Sequence, residues 1–80
     1  MFKKDMPIKI ILSTEGYTPS DIIWFVGCYG FVTIPYFERT ECRILVPGQP
    51  QVTITVPNDC LAPIASTNTK LASYLLEVQA

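Results

Sequence analysis

One stretch limits what this chain can fold into: Ile22 to Phe37, IIWFVGCYGFVTIPYF, with no charged residue in it. It carries the only tryptophan, three of the four phenylalanines and two of the four tyrosines. It is too short for a membrane helix, which needs about 20 apolar residues, and two glycines and a proline break it. The stretch must therefore supply the core. The whole chain has 80 residues, so one domain spanning 1–80 is expected, with residues 1–6 frayed at its start. A domain of this size buries only a modest share of its surface. With 49% apolar and 16% charged residues, some of its apolar surface is expected to stay exposed or to be covered by a partner.

The stretch divides at Gly27 and Gly30. Ahead of it stands Thr18-Pro19-Ser20-Asp21. Thr18 is a good N-cap, Pro19 suits the first helical position, and Asp21 favours the positive end of the helix dipole. These residues predict a helix over 19–28, stopped by glycine. The competing possibility is a buried strand at 22–26, because Ile, Val, Trp and Phe all favour strands. After Gly30, residues 31–37 read as a strand. Pro35 cannot donate to a ladder, so this strand is expected at an edge or bulged.

Elsewhere alternation is the guide. Ile8, Ile10 and Leu12 share one face of a strand over 7–13. Residues 41–46 and 51–56 read as two strands around the Pro47-Gly48 turn. A register with Val46 facing Pro50 and Leu45 facing Gln51 puts Cys42, Ile44, Val46, Val52, Ile54 and Val56 on one apolar face. It pairs Ile44 with Val52 and Cys42 with Ile54, and sets Arg43 against Thr53 and Glu41 against Thr55. A two-residue loop at Pro47-Gly48 would instead set Arg43 against Val52. Leu71, Tyr74, Leu75 and Val78 recur at helical spacing, giving a second helix over 67–78, with a terminal strand at 71–78 as the alternative. The expected fold class is α+β. It is a small two-layer domain whose antiparallel sheet has about four strands (7–13, 31–37, 41–46, 51–56), with the two helices packed on one face.

The chemistry is read mostly from what is missing. There is no histidine, which removes the commonest general base and metal ligand. Cys28, Cys42 and Cys60 are widely spaced and odd in number, the pattern of reduced thiols rather than of a disulfide framework or a zinc site. The three thiols are expected to be mostly buried, with Cys60, beside Asp59, the one candidate for exposure. No glycine-rich phosphate loop occurs. No catalytic, cofactor-binding or metal-binding residue is assigned, and no enzymatic activity is expected. Six basic against seven acidic residues, net charge −1, give no strong field to steer nucleic acid, so a small nucleic-acid-binding protein is the lesser alternative. No secretory signal or membrane span is evident, so a cytoplasmic protein is expected.

What remains is an aromatic surface with charged residues at its rim. Tyr29, Phe31, Tyr36 and Phe37 cannot all point inward from an alternating strand, and Glu38, Arg39, Glu41 and Arg43 follow them. Tyr, Phe and Arg are the types enriched where proteins bind proteins. These eight residues are the candidate partner-binding set. The function expected is protein–protein binding. One setting that fits the size is a phage- or mobile-element-type inhibitor, of the anti-defence, anti-CRISPR-like kind, that occludes a larger host complex. The alternative is a subunit that self-assembles, as a homodimer for example, through an edge strand, either 31–37 or 51–56.

Overall fold

The computed structural model describes residues 2–64. Five antiparallel strands form one sheet: β1 (Pro7–Ile10), β2 (Tyr29–Pro35), β3 (Arg39–Leu45), β4 (Val52–Pro57) and β5 (Leu61–Pro63). Their order across the sheet is β4-β3-β2-β1-β5. The helical content among the described residues is one turn, α1 (Ser20–Ile23), and a 3-10 turn at Asn58–Cys60. The expected layer of two helices on a sheet is therefore wrong. The fold is a mostly-sheet domain, and the second expected helix, 67–78, lies outside the described residues.

The sheet is strongly curled, and chain length requires it. β4 and β5 are opposite edges, yet only Asn58–Cys60 separates them. Edges four strand spacings apart in a flat sheet would be about 19 Å from each other. The four residue steps from Pro57 to Leu61 reach at most about 14 Å. The edges must therefore bend towards each other. Two local features help. The register shifts between Val32 and Ile34, a bulge at Thr33 that bends β2. Gly30 lets β2 and β3 approach closely, since a Cβ there would lie 2.3 Å from the Arg43 carbonyl oxygen.

The core fills the inside of the curl. Ile8 and Ile10 from β1, Val32 from β2, Cys42 and Ile44 from β3, Val56 from β4 and Leu61 from β5 are buried together, with Ile22 and Cys60. Paired residues share a face, so the pairings Ile8–Gly30, Gly30–Ile44, Val32–Cys42 and Ile10–Leu61 place these side chains on one apolar face of the sheet. The β3–β4 register is the one the alternation demands: Ile44 opposite Val52, Cys42 opposite Ile54, Arg43 opposite Thr53 and Glu41 opposite Thr55. β1 continues backwards into the first residues, where the Met6 carbonyl accepts from the Val32 N–H at 2.9 Å and the Asp5 N–H donates to the Val32 carbonyl at 2.7 Å.

The segment ahead of β2 departs most from expectation. The helix ends at Ile23, and the chain goes on through i-to-i+3 bonds: Phe25 N–H to Ile22, Val26 to Ile23 and Cys28 to Phe25. The predicted cap explains part of this. The Thr18 hydroxyl accepts from the Ser13 N–H at 2.8 Å, and no side chain caps the helix. One uncapped turn of β-favouring residues cannot offset helix nucleation. Gly27 does stop the run, at φ +94°, and its N–H returns to the Ile10 carbonyl. Only Ile22 of this segment is fully buried, and Trp24 is 85% exposed. β2 is also no edge strand, because it sits between β1 and β3. Pro35 is tolerated as its last residue.

Candidate functional site

β2 and β3 are joined by a tight turn. The Tyr36 N–H donates to the Arg39 carbonyl at 2.9 Å, which leaves Phe37 and Glu38 at the tip. Asn58 fastens this tip from outside the hairpin. Its N–H donates to the Glu38 carbonyl at 3.1 Å, and its Nδ2 donates to the Phe37 carbonyl at 3.1 Å. Its Oδ1 accepts from the fully buried Thr40 hydroxyl at 2.7 Å. The tip is thus fixed through its backbone while its side chains point outward. Phe37 is 87% exposed and Tyr36 is 50% exposed. Burying one such side chain would be worth about 1.5–3 kcal/mol, stabilisation this fold does without. Tyr36, Phe37, Glu38 and Arg39 line an open groove together with Thr55 and Pro57 of β4.

A second apolar display lies across the 3-10 turn. In the long connection from β1 to β2, Leu12, Tyr17, Ile23 and Trp24 are exposed. The Ser13 hydroxyl donates to the Asp59 carboxylate. The Thr14 N–H donates to the Asp59 carbonyl at 3.1 Å, and the Ile11 N–H to the Cys60 carbonyl at 2.9 Å. Asn58 therefore holds the aromatic turn, while the next two residues hold the long connection. The two displays flank one three-residue hub.

The eight residues of the expected binding set separate in the structure. Tyr36, Phe37, Glu38 and Arg39 come together in the groove. Phe31 is fully buried, and so is Val32 beside it, so β2 is enclosed on both faces there and Phe31 offers no contact surface. Tyr29 is half-buried, with the Lys9 ammonium 5.4 Å from its ring centre, a cation–π distance. Glu41 and Arg43 are half-buried on β3, on the face away from the core. Glu41 is engaged at the bulge, where its carbonyl and its Oε2 accept from the Thr33 hydroxyl at 3.0 and 2.7 Å. Sequence reasoning missed Asn58, Thr55 and Pro57. Asn58 gives no local signal, because its partners are 18 and 21 residues away in sequence. Trp24 was assigned to the core on type alone.

The two fully buried thiols, Cys42 and Cys60, are poor nucleophiles. Burial, with the Glu41 charge adding to it, pushes the Cys42 thiol up to about 12 from an ordinary 9.0. Cys60, the one candidate for exposure, is buried as well. Burial first and the Asp59 carboxylate second raise its pKa, against a lowering hydrogen bond with Thr18. All three cysteines are free, and no metal-binding cluster of His, Cys, Asp or Glu occurs among the described residues. No described helix is long and apolar enough to cross a membrane. No family model, curated protein or solved structure matches the chain.

Proposed function

We propose that this protein is a non-enzymatic binding module that engages another protein through the turn Tyr36–Arg39. One observation carries this: two large aromatic side chains are exposed on a turn whose two tip carbonyls are both held by Asn58. A rigid aromatic display loses little conformational freedom on binding, which is what makes such residues effective anchors. Arg39 and Glu38 beside the rings supply polar contacts at the rim. The long connection bearing Leu12 and Tyr17, tied to the same hub, extends the surface. The raised thiol pKa values and the lack of histidine support a binding role over a catalytic one. A module of this kind acts by occupying its partner's surface, as an inhibitor that occludes a larger complex would.

The test is affinity capture from the native cell with wild-type protein and with Tyr36→Ala, Phe37→Ala and Arg39→Ala, followed by titration of the captured protein. At least two of the variants should weaken binding about tenfold or more, equivalent to about 1.4 kcal/mol each, with thermal midpoints unchanged. Wild-type affinity in all three would remove the turn as the site.

A further inference from the structure

β4 offers a separate surface, its outer edge. Among the described residues β4 pairs with β3 alone. Its sequence from 52 to 56, Val-Thr-Ile-Thr-Val, reads the same in both directions. A two-fold axis through Ile54 would pair this edge antiparallel with that of a second copy. Each side chain would then meet its own kind or its like: Ile54 against Ile54, Thr53 against Thr55, and Val52 against Val56. Cross-strand Thr–Thr and β-branched pairs of this sort are favourable. No charge stands between Arg43 and Asp59, so the symmetric approach of β4 brings no like charges together. The devices that normally protect an edge, an inward charge or a proline within the strand, are absent from 52–56.

The core points to the same occupant. Val56 is fully buried, but Val52 and Ile54 on the same row are only partly so. The apolar row therefore runs out to the edge, and a second copy's row would continue it. The opposite edge does not compete. β5 has only three residues to give to a ladder, against six in β4, whose own terminal Pro57 lies outside the 52–56 repeat. Pairing of β4 with β5 into an open chain of copies is thereby disfavoured, and a closed two-fold dimer remains.

We propose that the protein self-associates as a two-fold dimer through β4, joining two five-stranded sheets across Ile54 by strand addition. The test is sedimentation of the full chain over a concentration series, with two double variants at exposed positions. In Thr53→Lys/Thr55→Lys, lysines face lysines across the axis. In Thr53→Glu/Thr55→Lys, each glutamate faces a lysine of the other copy. Wild type should dimerise with concentration. The lysine pair should weaken the dimer about tenfold or more, and the glutamate–lysine pair should restore it. Thermal melting at monomeric concentration reports the fold of each variant separately. A wild type that stays monomeric to high micromolar concentration would overturn the proposal. So would a dimer indifferent to the lysine pair, or one that the glutamate–lysine pair fails to restore. The readout is self-association of the isolated chain, so it does not depend on what the aromatic turn binds.

Discussion

Asn58 shows how much one side chain can organise here. Its amide satisfies the buried Thr40 hydroxyl and the Phe37 carbonyl, and its own N–H takes the Glu38 carbonyl. Asn58→Ala keeps the backbone bond and loses the two side-chain bonds. The Thr40 hydroxyl is then left buried without its partner, a loss of about 1–3 kcal/mol. Denaturant unfolding should show a lower midpoint with an unchanged slope. The turn would lose one of its two carbonyl anchors, so partner affinity should fall as well, although Asn58 itself is not in the groove. An unfolding midpoint equal to wild type would mean that the turn is held by the hairpin alone.

At the scale of elements, Gly30 is the sharpest case. Any side chain there meets the Arg43 carbonyl oxygen at 2.3 Å and Ile44 at 3.0 and 3.1 Å. The obstacle includes backbone of the central strand pair, so rotamer change cannot relieve it. Gly30→Ala should cost about 3 kcal/mol or more, or prevent folding, and thermal or denaturant melts would show it. Sequence alone offered Gly27 or Gly30 as the helix stop; Gly27 fills that role, and the close approach at Gly30 gives no local signal. The pattern of success and failure among the elements has a physical basis. β3 and β4 were readable down to register because alternation and one turn fix a local hairpin. β5 was not, because three residues show no alternation and its partner β1 is some fifty residues away in sequence. The helix at 19–28 failed because a backbone group on the upstream side, the Ser13 N–H, took the Thr18 hydroxyl that capping rules give to the helix. Residues 31–37 were expected at an edge or bulged at Pro35; β2 is instead central, with its register shift between Val32 and Ile34, and Pro35 is accommodated as its last residue.

At the scale of the whole molecule, a curled sheet of this size has too little interior for its apolar content. Phe31 and Ile22 are enclosed, while Trp24, Tyr17, Tyr36 and Phe37 remain outside. The excess is not scattered. The exposed aromatics sit on two connections fixed to consecutive residues, Asn58 to Cys60, and the uncharged strand edge lies beside one of them. Composition foretold that apolar surface would be left over. Where it would go depended on long-range hydrogen bonds that leave no trace in local sequence. The central claim is that the turn Tyr36–Arg39 meets a partner protein. It is tested most directly by photo-cross-linking in the native cell, with p-benzoylphenylalanine in place of Phe37 and, as a control, in place of Gln49. Gln49 is exposed in the turn beyond the other end of β3. The expected result is a discrete covalent adduct from position 37 and none from position 49. No adduct from position 37, or the same adducts from both positions, would contradict the claim.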